Sequence, residues 1–191
     1  MSPTQHLLQV DPVLAQLIPT TTPFAFESTQ NVFHDLVGCI IEQQIHYRSK
    51  RNLYSKRLER ADIELLTPDL FDQFEEKGLA DLKLSMRKQE TLLQVVDYFK
   101  QHTLDWQQLT DADVRAYLSA IKGIGKWTQD MILLFTLEHP DVFPYDDFRL
   151  KQVMTELYNL NPASRLKAQM LDCAQPWQPY ASQAVLYLMG K

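Results

Sequence analysis

The stretch "IKGIGKWTQDMILLFTLEHPDVFPYDDFRLKQ", residues 121–152, holds two features whose residue types are fit for chemistry. Gly123 and Gly125 stand one residue apart, and Asp146 and Asp147 follow as an adjacent pair of carboxylates. The whole chain has 5 glycines, so two within "KGIG" point to a backbone requirement. The spacing predicts a helix over 111–121, a second over 126–138, and between them only a tight helix–helix connection. Gly123 can take positive φ where the first helix must stop. Gly125 strips the side chain from the surface, so successive backbone N–H groups point outward at the start of the second helix, where its dipole adds partial positive charge. Such a turn holds an anion without side-chain charge, with Lys126 beside it. A nucleic-acid phosphate suits that geometry, and a plain helix turn with a glycine cap has the same letters. A mononucleotide P-loop is set aside, because it needs four residues between its glycines and Lys-Ser/Thr after the second. The acid pair also reads two ways. "DDFRLKQVMTEL" is a helix opening on a capping aspartate, and one acid remains available for chemistry.

The elements that must position these residues are helical. Val32, Phe33, Leu36, Val37, Ile40 and Ile41 form one apolar stripe at helical spacing. Leu92, Leu93, Val95, Val96 and Phe99 form another, and Met131, Ile132, Leu134 and Phe135 a third. Start signals stand at Asp11-Pro12, Thr67-Pro68, Ser85, Thr110-Asp111 and Asn161-Pro162. Only "TTPFAFES", residues 21–28, suggests an extended piece. An all-α chain of roughly nine to eleven helices is expected, with no repeat of solenoid period.

With 191 residues, 45% of them apolar, the chain can bury a core as one domain or two intimate lobes. The net charge of −5 argues against a protein that coats nucleic acid non-specifically. The charge is unevenly spread. Residues 46–60 carry Arg48, Lys50, Arg51, Lys56, Arg57 and Arg60 against Glu59, whereas acids dominate residues 62–81. Such a chain presents a basic face to phosphates, or a solvated helix with intrahelical ion pairs. Cys39 and Cys173 lie in apolar company without metal spacing, so they read as small hydrophobes; an iron–sulfur cluster needs four thiolates. The histidines are scattered, with no His-Glu-x-x-His, and no Gly-x-Ser-x-Gly elbow occurs. The start shows no secretory pattern and runs such as "MILLF" are too short to cross a bilayer, so a soluble cytoplasmic protein with no membrane contact is expected.

The segment "LSAIKGIGKWTQDMILLFTLEHPDVFPYDDFRLKQV" resembles the helix–hairpin–helix and Gly/Pro/Asp loop of the DNA glycosylase superfamily, closest to its DNA-3-methyladenine glycosylase II branch. "IIEQQIHYRSK", "LKLSMRKQETL" and "WQPYASQAVLYLM" resemble further segments of that branch, and together the matches cover most of residues 30–190. The resemblance implies a two-lobed all-α fold in one compact unit over 1–191. One lobe would be about 30–137 with the hairpin, the other about 1–29 plus 138–191, and the active site would lie in the cleft between them. It also implies a compact form without the extra N-terminal domain of larger members.

In that family the second acid of the pair is the catalytic carboxylate, which places the role on Asp147; Asp146 becomes a neighbour that caps or orients. Cleaving a base from deoxyribose develops oxocarbenium character on the sugar. A carboxylate about 4 Å from that cation is worth about 4 kcal/mol at an effective dielectric near 20, or about three decades of rate. An alkylated purine is already a cationic leaving group, and Asp147 can also orient or deprotonate the attacking water. Family members that cut the strand carry a lysine two residues beyond the second glycine. Here that residue is Trp127, and an indole cannot form a Schiff base. A monofunctional hydrolase that leaves an abasic site follows, with no redox or organic cofactor.

The lesion must leave the duplex first, at a cost lowest for damaged pairs. The resemblance aligns Met86 with the family's intercalating wedge, though an ordinary core or staple methionine fits the same letter. It places Gly123, Ile124, Gly125, Lys126 and Thr128 against DNA. Trp127, Tyr145 and Phe24 are the aromatic candidates for the base pocket, and Trp127 equally reads as core. Backbone carbonyls of Ser119, Ile121 and Ile124 would hold the Na⁺ or K⁺ that family hairpins often bind. The chain departs from the pattern at Leu186 and Met189, where relatives often carry Trp, and at Glu42, where glycine is usual. The implied partner is double-stranded DNA with damaged bases, and nothing demands more than a monomer. The same scaffold on another lesion, and a damaged-DNA-binding protein that does not cut, are the alternatives.

Overall fold

The structure, a computed structural model, describes residues 1–42 and 53–191; the Gln43-Gln44 segment and Arg48, Lys50 and Arg51 of the basic run lie outside the described residues. All regular structure among the described residues is helical, with no strand. The chain divides into two compact units, Met1–Glu27 with Leu133–Lys191, and Ser28–Ile132.

The first unit opens with helices α1 (Pro3–Val10) and α2 (Pro12–Leu17). Asp11, at their junction, caps α2 by accepting from the N–H groups of Val13 at 2.8 Å and Leu14 at 3.0 Å. The "TTPFAFES" segment is irregular rather than a strand: the Phe24 N–H donates to Leu186 O at 2.8 Å, and no ladder extends from that bond.

Among the described residues, the second unit holds six helices: α3 (Val32–Glu42), α4 (Leu53–Ala61), the short α5 (Phe71–Gln73), α6 (Met86–Gln101), α7 (Asp111–Ser119) and α8 (Lys126–Met131). The stripe on α3 is buried as its periodicity requires. On α6 the buried set is Thr91, Leu92, Val95 and Val96, whereas Leu93 faces solvent, one residue off the buried face. Ser85 caps α6, and Thr110 with Asp113 forms a capping box on α7, so those start signals act through the bonds they predict. Thr67-Pro68 starts only a 3₁₀ turn at Pro68–Leu70, which runs into α5 and a wide π-type turn at Phe74–Gly78. Helix α8 loosens into a second π-type turn, Ile132–Thr136, where the chain returns to the first unit; it therefore ends short of 138, and Glu138 takes the left-handed conformation at φ 55°.

Helices α9 (Phe148–Leu157), α10 (Leu166–Ala174) and α11 (Ala181–Gly190) complete the first unit. Asn161-Pro162 does not start a helix. The Asn161 side chain accepts from Ala163 N–H at 3.0 Å and closes a local turn, so α10 begins four residues later, after Arg165 at φ 49°. The core of this unit contains one dense polar knot. Asp11 Oδ2 accepts from Trp177 Nε1 at 2.7 Å and from the Tyr158 hydroxyl at 2.8 Å, and Trp177 is completely buried. Burial, and then the neighbouring Asp11 carboxylate, push the Tyr158 hydroxyl far above its ordinary range.

Candidate active site and nucleic-acid interface

The two glycines of the hairpin do different things. Gly123 lies at φ 101°, and a Cβ added there would fall 2.2 Å from Thr91 Oγ1 on α6. Both backbone conformation and packing therefore demand glycine. Gly125 is exposed at φ −93°, and a Cβ there would meet nothing within 4 Å. Nothing inside the protein asks for glycine at 125, and what its absent side chain leaves open is the outer surface at the start of α8. The α8 ladder begins with Gln129 N–H on Gly125 O at 3.1 Å, so the N–H groups of Lys126, Trp127 and Thr128 fall outside it, at the positive end of the helix dipole. Thr128 is 1% exposed, backbone and side chain together. Ile124 is buried and anchors the turn.

Lys126 is not a lone cation. It pairs with Asp130 one turn along α8, and Arg115 Nη1 of α7 reaches the same carboxylate at 2.7 Å. Asp130 is 0% exposed, so a buried acid clamps the two helices of the hairpin and offsets the charge of Lys126. Gln129 Nε2 donates to Ser119 Oγ at 3.1 Å, and that hydroxyl donates to Arg115 O at 2.6 Å, closing the same seam.

Met86, the first residue of α6, stands 76% exposed and is not a core methionine. The described arginines of the basic run on α4 pair outside their own helix. Arg57 and Arg60 converge on Asp81, in the loop that leads to Met86.

In the other unit, Asp147 is 4% exposed and holds an extended backbone at the N-terminus of α9. Its Oδ1 accepts from Leu150 N–H at 2.8 Å and its own N–H donates to Pro144 O at 2.9 Å. The capping role expected of Asp146 thus belongs to Asp147. Asp146 is exposed, with Lys151 Nζ at 3.8 Å, because Asp147 alone sits at the residue whose side chain can reach back to the N3 amide. The loop before the acids is pinned by α11: Ser182 Oγ donates to His139 O at 2.5 Å and accepts from Val142 N–H at 2.9 Å. Its partners lie about forty residues apart in the chain, so no local spacing announces this fastening.

The three aromatic candidates are half-buried. Trp127 is therefore neither a sealed core residue nor a bare surface one. Phe24 meets Phe135 edge-on, centroids 5.9 Å apart. Tyr145 has Lys167 Nζ over its ring, 4.2 Å from the centroid, and the Tyr145 hydroxyl raises the Lys167 ammonium above its ordinary range. Met189 is fully buried and Leu186 half-buried, so only the latter of the two departures reaches any surface. Glu42 accepts from Tyr54 N–H at 2.9 Å and so caps α4, while burial raises its carboxyl above the usual range. That is a structural use for the acid that stands where glycine is usual.

No family model matches the sequence. The "Putative DNA-3-methyladenine glycosylase YfjP" of Bacillus subtilis is 30% identical over 168 residues, which are 83% of this chain and 58% of that protein. The chain thus spans little more than half the length of that curated relative. A crystal structure of DNA-3-methyladenine glycosidase from Bacillus halodurans superposes with a TM-score of 0.78 at 27% identity, covering 98% of this chain and 88% of that one. In sequence and in fold the chain is similar to 3-methyladenine DNA glycosylases. The Schizosaccharomyces pombe member, 3-methyladenine DNA glycosylase (Mag1) in complex with abasic DNA, shares the fold with a TM-score of 0.81 at 21% identity, covering 98% and 95% of the two chains. The all-α glycosylase fold expected from the motifs is therefore the fold found.

Three features of this chain are not expected from its sequence. Asp130 carried a signal, since Lys126 and Asp130 are spaced for a helical ion pair. Asp81 carried none, because its arginines lie more than twenty residues away. Phe148, 65% exposed beside Asp147, lies on a face that periodicity alone does not assign.

Proposed function

We propose that the protein is a monofunctional DNA glycosylase that hydrolyses the N-glycosidic bond of alkylated purines, of the 3-methyladenine and 7-methylguanine type, in damaged double-stranded DNA. The product is an abasic site, as in the first step of base excision repair. The observation that carries this reading is the setting of Asp147: a nearly buried carboxylate whose backbone and Oδ1 are both fixed by hydrogen bonds. A carboxylate so held pays little reorganisation as positive charge develops on the sugar. The bond from the anomeric carbon to the base breaks, its electron pair leaves with the base, and a water oxygen bonds to that carbon. Asp147 opposes the charge and takes or directs the water's proton. Trp127 offers no amine for a covalent intermediate, which supports hydrolysis over strand cleavage.

The start of α8 would hold a backbone phosphate through main-chain N–H groups at Gly125, Lys126 and Trp127, with Ile124 and Gly123 shaping the turn. Met86 would fill the gap left by the everted nucleotide, and Trp127, Tyr145 and Phe24 would contact the base. The reaction needs no redox or organic cofactor. The carbonyls of Ser119, Ile121 and Ile124 are oxygen donors of the kind Na⁺ or K⁺ accepts; Ile121 O already takes Ile124 N–H at 3.1 Å and would offer its second lone pair. No group of three metal-ligating side chains occurs among the described residues, and no described helix is long and apolar enough to cross a membrane.

One observation favours a second reading of lesion preference. The Lys167 ammonium over Tyr145 puts positive charge on the ring where a cationic base would stack. That arrangement suits a neutral modified base better. Duplexes with single defined lesions test both readings: release of free base with an intact strand supports the glycosylase, cationic against neutral lesions decide the preference, and tight binding without release identifies a damage-binding protein.

A further inference from the structure

The loop before Met86 is tethered at both ends by charged side chains that the reaction itself does not use. Arg57 and Arg60, one turn apart on α4, both donate through Nη1 to Asp81 Oδ1, Arg60 at 2.6 Å. Arg57 also reaches Gly78 O at 3.4 Å, and its side chain is only 17% exposed, so its guanidinium is anchored before it meets the loop. At the other end Lys88 extends its ammonium to Ile41 O at 3.1 Å, at the C-terminus of α3, where the helix dipole favours a cation. Between these tethers the described bonds are short and local, such as Leu82 N–H to Leu79 O and Leu84 N–H to Leu82 O, both 2.9 Å.

We infer that Asp81 is a positioning residue, which sets the loop so that Met86 projects at a fixed place, and that Arg57 and Arg60 serve as its clamp rather than as phosphate contacts. The inference rests on the proposed wedge role of Met86. Asp81 is itself exposed, and exposed ion pairs contribute little to global stability. What the clamp limits is the number of loop conformers, and a wedge present in the right place only part of the time flips a base in proportion to that fraction. Removing the acid also unmasks two arginines, which strengthens non-specific DNA binding and must not be confused with the positioning effect.

The test is single-turnover base release at saturating enzyme, so that affinity drops out, from a lesion in duplex DNA and from the same lesion in single-stranded DNA. Asp81→Ala is expected to slow duplex release about fivefold, leave single-strand release unchanged and leave the melting temperature unchanged. Asp81→Glu restores most of the duplex rate. Normal duplex release by Asp81→Ala beside slow release by Met86→Ala overturns the clamp and leaves the wedge standing. Equal slowing on both substrates with a lower melting temperature also overturns it, in favour of a purely structural acid. Normal duplex release by Met86→Ala removes the wedge and this inference with it. Absence of release by the unaltered protein, seen before any variant is made, removes the glycosylase reading and both dependent roles.

Discussion

Gly123 and Thr91 approach so closely that no side chain fits between them: the left-handed glycine of the hairpin lies against the threonine hydroxyl of α6, which itself donates to Arg87 O at 2.9 Å. The turn proposed to hold phosphate is thus fixed to the helix that begins with Met86. Two properties that a sequence lists far apart share one rigid seat.

Gly123→Ala is expected to destabilise the protein by about 2 kcal/mol or more, from the left-handed backbone and the collision with Thr91 together. Gly125→Ala is expected to cost under about 1 kcal/mol, since the site is open and its φ is ordinary, yet to weaken duplex binding about tenfold by standing in the path of a phosphate. Thermal melts beside a DNA titration separate the two. A Gly125→Ala protein that binds normally would remove the phosphate role of this turn.

The polar knot at Asp11 predicts a large stability effect without any role in chemistry. Asp11→Ala uncaps α2 and leaves Trp177 Nε1 and the Tyr158 hydroxyl without their acceptor inside the core. A loss of about 3 kcal/mol is expected, measured by urea unfolding, with base release per folded molecule unchanged.

His34 predicts an acid limb. It is buried, its Nδ1 accepts from Leu66 N–H at 2.9 Å, and burial lowers it from the ordinary 6.5, with Asp35 opposing more weakly. A group whose folded value is lowered binds its proton more readily when unfolded, so unfolding takes up a proton as pH falls. The contribution of neutral His34 is complete above pH 6.5 and is lost below it, towards the lowered folded value. Unfolding free energies at pH 7.5 and 5.5 should fall with pH, and the part due to this ring should vanish in His34→Asn.

Trp127 predicts the reaction's end point. Borohydride added during turnover should trap no protein–DNA adduct, and the product strand should stay whole until treated with alkali. A trapped adduct would point to an amine the hairpin does not offer.

The legible parts of the structure were those that local chemistry decides. Gly123 had to be glycine because its φ is left-handed, and Ser85, Thr110 and Asp11 cap helices through bonds only two or three residues long. Cys39 was readable as a packed thiol, and burial pushes it up to about 12. The illegible parts depend on what distant segments bring. The Lys126–Asp130 spacing suggests a solvated surface pair, and only the packing of α7 and α8 decides that Asp130 is sealed beneath Arg115. Asp146 and Asp147 are chemically identical letters, and a single residue of register at the start of α9 makes one a buried cap and the other a surface acid. Asn161-Pro162 failed as a helix start because the asparagine side chain found a nearer amide.

The most direct test compares base release by the unaltered protein and Asp147→Asn under single-turnover conditions on alkylated duplex DNA. Asparagine keeps an oxygen to accept from Leu150 N–H, so the cap of α9 and the fold should persist while the negative charge is lost. A fall of about three decades in rate, with DNA binding retained, is expected for a carboxylate worth about 4 kcal/mol to the transition state. Equal rates for the two proteins would contradict the central role given to Asp147.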